Sequence, residues 1–112
     1  MATNNRLLDG KVALITAGAA AISVASAKLL VRDGAIVVLM GRRLTALKEV
    51  RDSILENYPD AKISIFSGDS CKEHDVISIM QNIREQHGRL DIIVSVVGGG
   101  GFKPLLLLNS DE

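Results

Sequence analysis

Four short apolar runs, separated by segments with helical periodicity, constrain the fold of this chain more than any other feature. The runs cover residues 12–16, 35–40, 63–66 and 90–97. Each run is too short for a helix, and most of them lack the alternation of a half-exposed strand. Such runs are typical of strands that are covered on both faces of a parallel sheet.

Three helical patterns fill the intervals between these runs. Segment 20–32 is apolar nearly all round and stops at a glycine, whereas segment 44–55 has one apolar face and stops before a proline. The third pattern starts with a capping box formed by Ser70 and Glu73 and closes at Gly88. This regular alternation predicts right-handed crossovers onto an open parallel sheet with helices on its faces.

The charge balance and the cysteine content narrow the classes of partner and site. Lysine plus arginine and aspartate plus glutamate both number 13, so no basic field favours nucleic acid. The apolar stretches are far shorter than the roughly 20 residues that span a bilayer. We therefore expect neither nucleic acid nor membrane as partner and, without a secretory signal pattern, a cytoplasmic location. Cys71 and His74 lack the further ligands that a metal site needs.

The turn after the first run stands where a parallel sheet binds its ligands, beyond the carboxyl end of a strand. Residues 16–23 read Thr-Ala-Gly-Ala-Ala-Ala-Ile-Ser. Together with residues 37–43, 68–70 and 90–98, this turn resembles the N-terminal half of a short-chain dehydrogenase/reductase. The resemblance covers nearly the whole chain, and the joint spacing of the four segments is more specific than any one of them.

The resemblance implies an α/β fold with a partial doubly wound, Rossmann-like parallel sheet. We expect about four strands in the order 3-2-1-4 with three helices. Residues 1–112 then form a single N-terminal dinucleotide-binding half-domain, truncated at the start of a fourth helix, because residues 109–112 resemble a helix cap and first turn. The fourth strand becomes an exposed edge, so we expect a homo-oligomer or a complementing C-terminal segment to cover it.

The family's glycine pattern, Thr-Gly-x-x-x-Gly-x-Gly, is degenerate here because alanine or serine replaces all three glycines. Each added Cβ costs on the order of 1 kcal/mol where φ is positive. The helix start still offers its N–H groups to an anion, the serine hydroxyl could donate as well, and the glycine one residue out of register could relieve the turn. We therefore expect weakened binding of the pyrophosphate, with a strand–helix junction that binds nothing as the alternative. The residues assigned to this turn are Thr16, Ala17, Gly18, Ala21, Ile22 and Ser23.

The end of the second run predicts which cofactor the chain prefers. An acidic residue there accepts a hydrogen bond from a ribose 2′-hydroxyl, whereas a guanidinium donates hydrogen bonds to a 2′-phosphate. Gly41 stands where NAD-preferring members of the family tend to have aspartate, and Arg42 and Arg43 follow it. We therefore expect NADP(H) to be preferred over NAD(H). The alternative is that both arginines only solvate the start of the second helix.

Two further turns complete the implied cofactor site. Asp69 and Ser70 resemble the family's Asp-Val pair, which implies that the aspartate contacts the adenine amino group. Asp69 equally suits the preference for negative charge at a helix start. After the fourth run, Gly98 is the residue that survives from the family's Asn-Asn-Ala-Gly, which implies a close approach to the nicotinamide.

The catalytic residues that the resemblance implies are absent from this chain. In the family, a serine and a Tyr-x-x-x-Lys pair come from the fifth strand and the helix after it. Tyr58 is the only tyrosine and Lys62 has the right spacing from it, but the pair lies at the end of the second helical segment. We therefore expect the cofactor-binding portion of an NADP(H)-dependent oxidoreductase that exchanges hydride with a carbonyl or alcohol. The alternative is a non-catalytic module that acts through protein–protein association.

Overall fold

Two buried strands at the centre of a parallel sheet organise the fold. The computed structural model describes residues 6–96. All strand pairs are parallel, and the order β3-β2-β1-β4 confirms the predicted α/β architecture. The elements are β1 Val12–Ile15, α1 Ala21–Arg32, β2 Ile36–Gly41, α2 Leu44–Asn57, β3 Ile63–Ser67, α3 Glu73–His87 and β4 Ile92–Val94.

The core has two parts, one on each face of the sheet, because successive side chains of a strand point to opposite faces. On one face, Ile15 and Leu39 pack with the buried residues Leu47 and Ile54 of α2. On the other face, strand residues such as Leu14 pack with Ile79 and Ile83 of α3. Double burial explains why the first two runs of the sequence do not alternate.

The ends of the helices follow the predicted local signals. Gly34 has a φ of 95° directly after the C-cap of α1, and Tyr58 is the C-cap of α2 before Pro59. Gly88 has a φ of 73° and donates its N–H to the carbonyls of Ile83 and Arg84. Left-handed glycines at these positions satisfy carbonyl groups that the helices leave without a partner.

The predicted capping box at the start of α3 is wrong. The helix begins at Glu73, and its N-cap Lys72 makes no side-chain cap hydrogen bond. The preceding residues form a turn instead, in which the Asp69 carboxylate accepts the N–H of Cys71 at 2.9 Å. The Asp75 carboxylate accepts the N–H of Asp69 at 2.8 Å. Because these carboxylates hold the turn, Ser70 does not cap the helix.

Strand β4 is shorter than predicted, and a carboxylate fastens its beginning to β1. Asp91 accepts the N–H of Val12 at 2.8 Å and donates its own N–H to the Val12 carbonyl at 2.9 Å. The Arg89 guanidinium donates to both carboxylate oxygens, at 2.9 and 2.8 Å. Arg89, and after it the N–H of Val12, lowers the pKa of Asp91. Residue 97, the last of the predicted run, lies outside the described residues.

We predict that Asp91→Ala lowers the melting temperature several-fold more than Asp52→Ala does. Asp91 joins two strands, whereas Asp52 faces only the neighbouring Arg51 at 3.4 Å. Folding lowers the pKa of Asp91. The contribution of its carboxylate to the stability of the fold is therefore complete above the ordinary pKa of 3.8, and it is lost as the pH falls through the pKa of the folded state. In thermal melts at decreasing pH, the difference in melting temperature between the native chain and the Asp91→Ala variant should become smaller. A difference that does not change with pH would contradict the prediction.

Candidate functional site

Two adjoining cavities lie at the carboxyl ends of β1, β2 and β3. The smaller, of about 180 Å³, lies between the end of β2 and the loop after β3. The larger, of about 520 Å³, lies between the turn after β1 and the start of α2. Ala17, Gly41 and Arg42 line both cavities. This is the edge of the sheet where the fold class binds ligands.

Thr16, the first residue of the predicted phosphate turn, fastens β1 to the end of β4. Its Oγ1 donates to the Val96 carbonyl at 3.1 Å and accepts the N–H of Val96 at 2.8 Å. Its own N–H donates to the carbonyl of Val94 at 3.1 Å. The hydroxyl therefore stabilises the sheet, and a ligand would meet the turn that follows rather than this side chain.

Ala17 takes the conformation that a glycine normally serves in this turn. Its φ is 49°, and it is the only non-glycine with a positive φ among residues 6–96. A left-handed conformation costs an L-residue roughly 1–2 kcal/mol because Cβ crowds the carbonyl oxygen. The expected strain of the degenerate turn is therefore located at this one residue.

Gly18 does not relieve this strain, contrary to the expectation from its register. It serves close packing instead: a Cβ on it would stand 2.9 Å from Leu47 Cδ2 and 3.0 Å from Leu39 Cβ. Its N–H donates to the Met40 carbonyl at 2.8 Å. Gly18 thus allows the turn after β1 to lie directly against the end of β2.

The other two glycine positions differ from each other. Ser23 is fully buried, and its hydroxyl donates to the Thr16 carbonyl at 3.0 Å. This corrects the expectation that the hydroxyl serves an anion, because its hydrogen goes to the backbone. Ala21 and Ile22 lie on the first turn of α1 and are exposed. The helix has no side-chain cap bond at Ala20 and no acidic residue in its first turn, so its positive end faces the turn without a competing carboxylate.

Arg42 and Arg43 bring two cations to the start of α2. Both are exposed, and among the residues that the structure describes no carboxylate lies within 4.0 Å of either guanidinium. Arg43 is the N-cap, and the first turn of α2 contains no acidic residue. Cations at the positive end of a helix dipole raise the local potential further. The arrangement is therefore suited to an anion beside the larger cavity.

Asp69 and Ser70 line the smaller cavity together with Cys71. The hydrogen bond from the Asp69 N–H, and after it the one with the His74 side chain, lowers the pKa of the Asp75 carboxyl group. The Asp75 carboxylate holds the turn in place. The Asp69 carboxylate accepts the Cys71 N–H, so it supports the turn before α3 and also borders the cavity. Its contact with an adenine stays a prediction. Gly98 lies outside the described residues.

Tyr58 and Lys62 lie at the opposite edge of the sheet. Tyr58 ends α2 and packs against the core on that face. The Lys62 carbonyl accepts the N–H of Val37 near the start of β2, and the Lys62 side chain borders a different cavity with Arg6. The pair is therefore remote from the cavities that Arg42 lines.

Leu47 and Cys71 are among the residues of the site that sequence reasoning missed. Leu47 forms part of the larger cavity, although its spacing on α2 marks it only as a core residue. The signal in the sequence that could identify it is the pair of glycines, Gly18 and Gly41. Glycines allow two segments of the chain to approach closely, and a nearby side chain then packs against both of them. Cys71 reaches the smaller cavity through the turn that replaces the predicted helix start.

We predict that Ala17→Gly stabilises the chain by about 0.5–1 kcal/mol, since relief of the left-handed strain exceeds the entropy that glycine adds to the unfolded state. The matched control is Ala25→Gly in the exposed middle of α1, which should destabilise by about 0.5–1 kcal/mol. Urea unfolding measures both free energies. Equal losses for the two variants would show that the backbone at position 17 is not strained.

The family model described as short chain dehydrogenase matches residues 11–112. A 3alpha-hydroxysteroid dehydrogenase of Mediterraneibacter gnavus is 33% identical over 92 residues, which are 82% of this chain and 37% of the relative. The chain thus spans well under half the length of this relative.

Solved structures give the same result. The chain aligns with YwfH, an NADPH dependent reductase involved in bacilysin biosynthesis, at a TM-score of 0.79 and 27% identity, covering 90% of this chain and 43% of YwfH. The L-sorbose reductase of Gluconobacter frateurii, solved with NADPH and L-sorbose, aligns at 0.78 and 26% identity, over 93% of this chain and 39% of the reductase. Because the family model matches nearly the whole length of this chain, the chain belongs to the short-chain dehydrogenase family.

Proposed function

We propose that this chain is the cofactor-binding portion of an NADP(H)-dependent oxidoreductase. The observation that carries the proposal is the position of Arg42, which lines both cavities at the strand ends. A guanidinium there suits a 2′-phosphate, and Gly41 places no carboxylate beside it. The similar solved structures support the same cofactor, because YwfH is an NADPH dependent reductase and the L-sorbose reductase was solved with NADPH.

The residues that are present fit a dinucleotide in three places. The start of α1, without a competing acid, would hold the pyrophosphate through backbone N–H groups. Arg42, with Arg43 beside it, would hold the 2′-phosphate, and Asp69 in the wall of the smaller cavity would face the adenine. We propose that binding is weaker than in a glycine-containing turn, because Ala17 adds a Cβ at the point where both cavities meet.

The proposed reaction is hydride exchange with a carbonyl or alcohol substrate. NADPH, when bound, would supply the hydride, and the residues of this chain would bind and orient the dinucleotide. Tyr58 and Lys62 lie away from the cavities, so the acid–base residues of the reaction would belong to another segment. In this proposal residues 1–112 are one dinucleotide-binding half-domain of a cytoplasmic enzyme.

Intact mass spectrometry of the protein from its natural source tests the half-domain part of the proposal. A complete doubly wound domain is expected at about 25–30 kDa. A mass equal to the 12.0 kDa of these residues would contradict a half-domain that is completed within the same chain.

We predict that the chain binds NADPH about tenfold or more tightly than NADH, since a charge-assisted hydrogen bond contributes about 1.5–3 kcal/mol. Arg42→Ala should remove most of this difference by weakening NADPH binding alone. The control is Arg84→Ala, which removes an exposed arginine of α3 and should leave both affinities unchanged. Isothermal titration calorimetry measures the affinities of the native chain and of both variants for NADPH and NADH. Equal affinity of the folded native chain for both cofactors would remove the proposal.

A second candidate function, association through β4, is favoured by one exposed side chain. Ile93 is 54% exposed in the middle of this strand, which pairs with β1 alone among the described strands. Parallel strands of this fold class are normally covered on both faces. A second copy of the chain, or a complementing C-terminal segment, would cover Ile93.

We predict that the chain forms a defined oligomer that Ile93→Lys dissociates, because a charge on the covered face would be buried without a partner. Val94 is a poorer site for this test, since it packs against the core cluster that contains Ile15. Ile77→Lys is the control, because Ile77 is similarly exposed, at 49%, but lies on α3. Sedimentation velocity reports the mass, and a native chain that is monomeric would contradict association between copies.

A further inference from the structure

Leu47 occupies the space between the two segments that form the larger cavity. It is fully buried, although it borders this cavity. Its Cδ2 would stand 2.9 Å from a Cβ on Gly18 and 3.1 Å from a Cβ on Gly41. A Cβ on Gly41 would also lie 3.5 Å from Leu47 Cγ and 3.6 Å from the nitrogen of Gly18. One side chain thus fills the room beside both glycines.

Leu47 has little freedom to move away from position 41. It belongs to the core cluster of Ile15, Leu39 and Ile54, all of them fully buried. Close packing of such a core resists a shift of even a few tenths of an ångström. A side chain at position 41 would therefore require Leu47, a core residue, to shift by a few tenths of an ångström.

We propose that Leu47 is a positioning residue that determines cofactor choice. It opposes a side chain at position 41, so a carboxylate that could accept a hydrogen bond from a ribose 2′-hydroxyl is disfavoured there. The ribose end of the cavity is then left to Arg42. This inference rests on the proposed function, because it concerns the preference between NADP(H) and NAD(H).

The test compares four forms of the 112-residue chain: native, Gly41→Asp, Leu47→Val and the double variant. Gly41→Asp alone should weaken NADPH binding about tenfold or more without improving NADH binding, since the new charge repels the phosphate. Leu47→Val shortens the side chain that opposes position 41. The double variant should then bind NADH about fivefold or more tightly than Gly41→Asp does. Leu55→Val, on the same helix and half-buried, replaces Leu47→Val in the control series and should give no such gain.

A melting experiment keeps the test decisive if Gly41→Asp does not fold. Gly41→Ala should lower the melting temperature, and the loss should be smaller in the Leu47→Val background, because contacting residues do not act additively. Additive losses in melting temperature would overturn the inference that Leu47 opposes a side chain at position 41.

The binding outcomes separate the inference from the proposed function. A native chain that prefers NADPH, together with a Gly41→Asp variant that gains NADH affinity with Leu47 intact, would overturn the inference and leave the function standing. A folded native chain that binds neither dinucleotide would overturn both.

Discussion

The close approach of the turn after β1 to the end of β2 is the contact on which the site depends. The N–H of Gly18 donates to the Met40 carbonyl at 2.8 Å, and Leu47 packs over Gly18 and Gly41 together. Arg42 lines both of the cavities that meet at this contact. The proposed specificity residue Arg42 and the proposed phosphate turn are therefore parts of one packed unit, although they come from different loops.

The three positions where the family's pattern has glycine differ from one another in this structure. Ala17 has a positive φ of 49°, and the neighbouring Gly18 packs under Leu47. Ser23 fills its position and adds a buried hydrogen bond to the Thr16 carbonyl. The three substitutions thus have different physical effects, namely strain at Ala17, an exposed methyl at Ala21 and added stability at Ser23.

Features encoded by neighbouring residues could be predicted from the sequence, whereas those that depend on distant hydrogen bonds could not. Apolar runs and helix-ending glycines such as Gly34 and Gly88 gave the elements and their order. The start of α3 was mispredicted because Asp69 and Asp75 hold a turn that competes with the capping box. The role of Ser23 depends on a carbonyl seven residues away, and the sequence pattern alone cannot show which acceptor a hydroxyl finds. The role of Leu47 depends on a contact between two loops.

The hydroxyl of Thr16 links the two proposed roles of the chain mechanically. Strand β4 has only three residues. Just before it, Asp91 is hydrogen-bonded to Val12, and two residues after it, Val96 is hydrogen-bonded to Thr16. A displacement of β4 would have to strain or break the hydrogen bonds of Thr16, one residue before Ala17. The proposed docking face and the turn that would hold the pyrophosphate are thus joined through the same hydrogen bonds of Thr16.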